Sequence, residues 1–354
     1  MRRALELAER GWGRVAPNPL VGAVLLRGEQ IVGEGYHAEF GGPHAEIQAL
    51  ADCLEPAGTT CVVTLEPCAH VGKTAPCTDA LIAAGVSRVV FAIRDPDPTA
   101  GGGGERLRQA GIEVEEGVCR DEAAALNALF LWSKTRPERP FVALKLATSL
   151  DGLLTDRKGR SQWISGPQAR NWVHWLRAGF DAVAVGRRTA ELDDPQLTTR
   201  GGVEPRICPK RVVFARNGAI NPGLQVARTA EETPTLVLVA PEAVPDAAAS
   251  LQGTAVEVHG AIDLADALRL LRDRGIRSLL VEGGGILAGA LLDGDLVDRV
   301  YWIQAPLWLG EGTPAFGSRK GTLLGDAPSW TVVERGALGV DTLLVVDREP
   351  CLQE

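Results

Sequence analysis

The order His44-Ala45-Glu46, then Cys68, then Cys77 gathers an imidazole, a carboxylate and two thiols in one stretch of chain. One nitrogen and two sulfurs fill three positions of a tetrahedral Zn²⁺ and leave the fourth for water, the pattern of a catalytic rather than a closed structural zinc site. Such a metal brings the pKa of its water towards neutrality. Glu46, two residues from His44, can reach that water without ligating the metal, which makes it the candidate proton shuttle. The chemistry implied is hydrolytic deamination.

Taken singly, His44 and Glu46 read as polar residues on a helix start, and Cys68 and Cys77 as small core residues. Their joint order favours zinc. The spacing departs from the general Pro-Cys-x-x-Cys ending. Here eight residues separate the two cysteines, and the added loop holds His70, Lys73 and Thr74. A cation and an imidazole beside the metal favour an anionic substrate, with phosphate the obvious candidate. The competing reading is a solvated insertion.

A second constellation lies far along the chain. Glu282-Gly283-Gly284-Gly285 follows the apolar residues 278–281 and leads into Ile286-Leu287-Ala288-Gly289-Ala290, which reads as strand, glycine turn and helix start. Backbone N–H groups and the helix dipole favour an anion at such a turn. A tight structural turn is an equal reading, because the Gly-x-Gly-x-x-Gly fingerprint is absent. The run Gly101-Gly102-Gly103-Gly104 reads as a flexible connector rather than a phosphate cradle.

The elements that must hold these residues alternate. Residues 20–26, 61–65 and 87–93 have strand character, with helical patterns between and after them. Pro43 and Pro76 mark helix starts beside His44 and Cys77, so the zinc ligands fall at two helix N-termini. After an amphipathic stretch over 121–134, the polar segment Thr135-Arg136-Pro137-Glu138-Arg139-Pro140 marks a domain boundary. A second α/β series then follows, with strands expected at 141–146, 182–185, 211–214, 235–239, 279–281 and 300–303. The expectation is two α/β domains, residues 1–136 and 141–350.

Composition narrows the class. With 354 residues, 45% hydrophobic and 23% charged, the chain can bury a sizeable core. A formal charge of −8, without long basic runs, disfavours a polynucleotide partner. No apolar run approaches the ~18 residues of a membrane span, and the first ten residues carry acids where a signal peptide needs an apolar core. Seven cysteines without secretory context fit reduced thiols in a cytoplasm.

These residues resemble the bifunctional riboflavin-biosynthesis deaminase-reductase family over nearly the whole chain. The first half is similar in Arg3-Ala4-Leu5, Pro17-Asn18-Pro19-Leu20-Val21-Gly22, His44-Ala45-Glu46 and the long-spaced Pro67-Cys68 to Pro76-Cys77 segment. The second is similar in Lys145-Leu146-Ala147-Thr148-Ser149-Leu150-Asp151-Gly152, Ser161-Gln162-Trp163-Ile164, Asp193-Asp194-Pro195-Gln196-Leu197-Thr198 and Glu282-Gly283-Gly284-Gly285. The resemblance implies a cytidine-deaminase-like domain followed by a dihydrofolate-reductase-like one. It implies one Zn²⁺ held by His44, Cys68 and Cys77, with Glu46 as proton donor and Asn18, His70, Lys73 and Thr74 contacting a phosphorylated pyrimidine. It implies NADPH at Ala147, Ser149, Trp163, Thr189, Asp193, Gly284, Gly285, Ile286, Leu287, Ala288, Gly289 and Ala290. The reduced substrate would meet Ser161, Arg177, Leu197, Arg200 and Glu282. Arg177 and Arg200 suit a phosphate, since a guanidinium can grip it with two parallel hydrogen bonds. A homo-oligomer is implied as well.

Three positions depart from the family pattern. Asp97 stands where asparagine is common, and Lys73 where arginine is frequent. Arg216 replaces a small or acidic residue beside the cofactor, where it would suit the 2′-phosphate of NADPH. Among the tryptophans, Trp163 lies in a matching motif, whereas Trp172 and Trp175 have core-like helical spacing. The alternative to two activities is a deaminase whose second domain shapes or oligomerises it.

Overall fold

Strand β1 (Gly22–Arg27) turns tightly into β2 (Gln30–Tyr36), and both pack under the helix Ala45–Asp52 that carries Glu46. Glycine makes that packing possible, because a Cβ on Gly35 would lie 2.3 Å from the backbone nitrogen of Ala49. In the computed structural model, which describes residues 1–70, 75–97, 99–218, 220–316, 321 and 323–348, two units separate, Met1–Arg136 and another that begins at Pro137.

The first unit is a five-stranded sheet in the order β2-β1-β3-β4-β5, completed by β3 (Thr60–Leu65), β4 (Arg88–Ile93) and β5 (Glu113–Glu116). The β1 pairings are antiparallel and those of β3 with β4 and β4 with β5 are parallel. Strand β3 therefore runs in the interior, and its apolar residues Cys61, Val63 and Leu65 are buried among Leu25, Leu81 and Phe91. Its carboxyl end delivers Glu66, Pro67 and Cys68. The amphipathic stretch expected over 121–134 is two helices, Arg120–Leu126 and Ala128–Thr135, broken at Asn127. Asn127 is buried because its amide donates to the carbonyl of Leu20 and accepts from its N–H.

The glycine run corrects an expectation. Gly103 and Gly104 are no connector, for they open the helix Gly103–Gln109. Gly103 lies so close to Pro67 that a Cβ would sit 1.8 Å from its carbonyl oxygen, and the Gly104 N–H donates to Glu66 Oε1 at 2.9 Å.

The second unit is a nine-stranded sheet, ordered β10-β9-β8-β7-β11-β6-β12-β14-β13. Its strands are β6 (Phe141–Thr148), β7 (Ala182–Gly186), β8 (Lys210–Phe214), β9 (Thr235–Val239), β10 (Glu257–Gly260), β11 (Ser278–Glu282), β12 (Arg299–Gln304), β13 (Thr331–Leu338) and β14 (Asp341–Asp347). All pairings from β10 to β12 are parallel, and the β14 and β13 pairings are antiparallel. Parallel strands covered on both faces read as unbroken apolar runs, as β9 does. Residues 137–140 belong to this unit. Arg139 holds both oxygens of the buried Asp298 at 2.7 and 2.8 Å, and the Arg272 side chain donates to the Pro137 carbonyl. Among the described residues no helix is long and apolar enough to cross a membrane.

Candidate active sites

His44 is the N-cap of the helix Ala45–Asp52, and Cys77 opens the helix Cys77–Ala83, so two helix starts converge. With Cys68 from the end of β3 they bring Nδ1 and two Sγ atoms within 4.8 Å of one another. Nδ1 lies 3.2 Å from Cys77 Sγ and 3.7 Å from Cys68 Sγ, and the Cys77 N–H donates to Cys68 Sγ. Hydrogen bonding from Cys77 and from His44 outweighs burial and pulls the Cys68 thiol well below its usual range. The same contact with Cys68, together with burial, pushes the Cys77 thiol up. A thiolate ready beside an imidazole and a second thiol is a donor set that suits Zn²⁺.

Glu46, 4% exposed, touches Cys77 from the first turn of its helix. Burial raises its carboxyl pKa. That is the shift a group needs to hold and release a proton near neutral pH. Asn18 is oriented by a residue without a motif of its own, the buried His37. His37 Nδ1 sits 3.0 Å from the Pro43 carbonyl, which can only accept, so Nδ1 carries the proton. Nε2 then accepts from Asn18 Nδ2 at 3.1 Å, which leaves Asn18 Oδ1 as an acceptor. Burial lowers the pKa of His37, in keeping with a neutral ring. The available hint was a histidine seven residues ahead of a zinc ligand.

His70 is exposed just beyond Cys68, while Lys73 and Thr74 lie outside the described residues. Asp97 does not present an unpaired charge. Its carboxylate takes Lys134 Nζ at 2.8 Å and both the N–H and hydroxyl of Thr99, and these bonds hold it below the usual range.

In the second unit a cavity of about 1320 Å³ opens beside the carboxyl ends of the parallel strands. Ala147, Trp163, Thr189, Asp193, Arg216, Gly284, Gly285, Ile286, Leu287 and Ala290 line it, as do Ser161, Arg177, Leu197, Arg200 and Glu282. Ser149, Ala288 and Gly289 do not. Ser149 is fully buried with its hydroxyl on the Leu153 N–H, and Ala288 and Gly289 face inward on the helix Gly285–Asp293. Gly283 and Gly284 both adopt positive φ, which frees the following helix start to face the cavity. Trp163 is 69% exposed with the Arg170 guanidinium 4.6 Å from its ring centre, and Ser161 donates to Asp193. Trp172 packs edge-on against Tyr301.

Arg177 is not free for a phosphate. Nε and Nη2 grip Glu282, and Nη1 donates to the Thr198 carbonyl. Burial pushes the Glu282 carboxyl up, but Arg177 and Lys145 more than offset it and hold it at about 2. Lys145 Nζ lies 3.8 Å away, with its own pKa lowered by burial. His174, 3.4 Å from Arg177, completes this wall. Lys145 and His174 carry no spacing signature, because strand and helix meet them only in the fold.

Fold and site together define a zinc deaminase domain joined to a dihydrofolate-reductase-like reductase domain. Residues 1–93 match the cytidine and deoxycytidylate deaminase zinc-binding region, and residues 140–343 match the RibD C-terminal domain. The chain is 42% identical to the riboflavin biosynthesis protein RibD of Aquifex aeolicus, over 88% of this chain and 87% of that one. It is 40% identical to that of Escherichia coli, over 97% of both. It superposes on a Thermotoga maritima diaminohydroxyphosphoribosylaminopyrimidine deaminase/5-amino-6-(5-phosphoribosylamino)uracil reductase with a TM-score of 0.82 at 38% identity, covering 98% of this chain and 97% of that one. The Acinetobacter baumannii RibD gives 0.78 at 36%, with the same coverage. The chain belongs to the bifunctional riboflavin-biosynthesis deaminase-reductase family, RibD.

Proposed function

We propose that the chain performs two successive steps on one phosphorylated pyrimidine. The first is hydrolysis of the 2-amino group of 2,5-diamino-6-(5-phosphoribosylamino)pyrimidin-4-one. The second is NADPH-dependent reduction of the ribosyl chain to give 5-amino-6-(5-phosphoribitylamino)uracil. The observation that carries this reading is the convergence of His44, Cys68 and Cys77 beside the buried Glu46, in a chain that also holds the second cavity.

Zinc held by those three residues supplies Lewis acidity that makes water nucleophilic near neutral pH. Glu46, its carboxyl raised by burial, takes one proton from the attacking water and gives it to the ring nitrogen. It then takes the remaining hydroxyl proton and gives it to the amine, which leaves as ammonia as the carbonyl forms. Asn18 offers Oδ1 to a substrate N–H, while His70, Lys73 and Thr74 serve the phosphorylated end. In the second unit NADPH supplies hydride. Ala147, Trp163, Thr189, Asp193, Arg216 and the helix start at Gly285 hold the cofactor, and Arg216 takes its 2′-phosphate. Arg200, with Ser161 and Leu197, meets the phosphorylated substrate. Glu282, kept ionised, orients substrate donors, and the nearby Lys145 carries a transferable proton. The chain's part in reduction is to hold both partners in register. By family resemblance the enzyme works as a homo-oligomer in the cytoplasm.

The test is mass spectrometry of products from zinc-loaded protein and the diaminopyrimidine ribosyl phosphate, with and without NADPH. Deamination in both tubes and a ribityl product only with NADPH is the expected result. Accumulation of the deaminated ribosyl compound despite NADPH would leave only the deaminase reading standing.

A further inference from the structure

Arg211 is the largest fully buried side chain, with 0% of its surface exposed. A buried guanidinium ordinarily sits against a carboxylate. This one does not, since its five N–H groups meet neutral oxygens. Nε donates to Thr235 Oγ1 at 2.9 Å, Nη1 to Thr229 Oγ1 at 2.8 Å and to the Gln196 carbonyl at 3.4 Å, and Nη2 to the carbonyls of Thr229 and Thr233. Burial lowers its pKa and the more distant Glu232 opposes that. An arginine nonetheless stays protonated in a protein.

What it holds matters more than its burial. Gln196 lies in the segment 193–200, which carries Asp193, Leu197 and Arg200 on the cavity wall. Two non-glycine residues of that segment are left-handed, Asp194 at φ 38° and Leu197 at φ 52°. Each is a strained conformation for a residue with a side chain, so it persists only where neighbours over-determine it. Three contacts do so. Asp194 Oδ1 accepts from the Gln225 N–H at 2.7 Å, Arg177 Nη1 donates to the Thr198 carbonyl at 2.8 Å, and Arg211 reaches the Gln196 carbonyl between them.

We infer that Arg211 is a positioning residue of the reductase: it never meets the ligands, and through the Gln196 carbonyl it fixes the backbone that aims Leu197 and Arg200 at the phosphorylated substrate. This rests on the assignment of Leu197 and Arg200 to the substrate site. A lysine keeps the charge but has three donors on one atom, so it cannot span Thr235, Thr229, Thr233 and Gln196 together.

The experiment compares wild-type full-length chain with Arg211→Lys, Thr229→Val and Arg200→Ala. It measures both activities in one preparation and hydrogen exchange over 194–200. For Arg211→Lys the KM for the deaminated ribosyl phosphate should rise about tenfold or more with kcat much less affected. Deamination should stay within about twofold, and exchange over 194–200 should quicken. Thr229→Val, which keeps the arginine but removes one of its acceptors together with the hydroxyl's own bond to the Gln225 carbonyl, should move KM the same way by less. Unchanged KM and exchange with a lowered melting temperature would overturn the inference, as would an unchanged KM in Thr229→Val if the lysine variant does not fold. Arg200→Ala separates the two ideas. A KM raised by Arg211→Lys but not by Arg200→Ala supports the positioning role and removes Arg200 from the substrate site.

Discussion

Arg177 closes on Glu282 with two parallel hydrogen bonds, Nε to Oε1 at 2.5 Å and Nη2 to Oε2 at 3.0 Å, and both side chains are largely shielded from solvent. Replacing Arg177 by lysine keeps a cation but gives up the fork. The expected outcome is a fall in reductase kcat/KM of about 100-fold from misplacement of Glu282, with deamination unchanged. Steady-state kinetics of both steps on one sample checks it, and an unaffected reduction would show that the pair is dispensable.

The same pair sets a pH dependence. The Glu282 carboxyl is held at about 2, below its ordinary 4.5, so the ionised form is bound more tightly in the folded state. That stability is present above about pH 4.5 and is lost as pH falls towards 2, with a full value of about 3 kcal/mol. Thermal unfolding of the second unit, followed between pH 6 and 3, should therefore soften on the acid side. In Glu282→Gln this part of the slope should vanish.

Removing zinc with a chelator should abolish deamination and spare reduction, because the ligands all lie in the first unit. Glu46→Gln should retain zinc, measured by elemental analysis, yet lose about 100-fold or more of the deamination rate. Cys68→Ser should lose the metal itself. A Glu46→Gln protein with full deaminase activity would remove the proton-shuttle role.

Gly103→Ala tests how firmly the zinc loop is backed. The added methyl would have to displace the Pro67 carbonyl, one residue from Cys68. Overpacking of this kind costs about 1–3 kcal/mol. The melting temperature should drop and zinc should be released at lower chelator concentration, whereas an unchanged metal affinity would mean the loop yields without moving Cys68.

The zinc residues were legible because imidazole and thiolate have few substitutes as ligands and the three fall close together in sequence. The interior strands were legible for another reason, since parallel strands covered on both faces are apolar throughout, as β7 and β9 are. Strand β2 escaped notice because its first residues face solvent and Gly33 and Gly35 weaken its strand character, although the helix above requires them. The glycines at 103 and 104 looked like slack for the same reason. Composition reports freedom of the backbone, not the neighbour that makes a side chain impossible. Arg177 illustrates the limit at the site. Its charge pointed to a phosphate, but the partner that claims it, Glu282 at the end of β11, is 105 residues away and meets it only in the fold.

The anchoring of residues 137–140 bears on how the two enzymes could be parted. A reductase begun at Phe141 would discard Arg139 and leave Asp298 buried without the guanidinium it normally faces, although the Val142 N–H would still reach it. Removing one member of a buried ion pair costs up to about 3–5 kcal/mol, and the retained Val142 N–H offsets part of it. A gene split to yield two independent proteins should therefore cut ahead of Pro137, so that the apparent tether travels with the downstream half as its own amino-terminal latch.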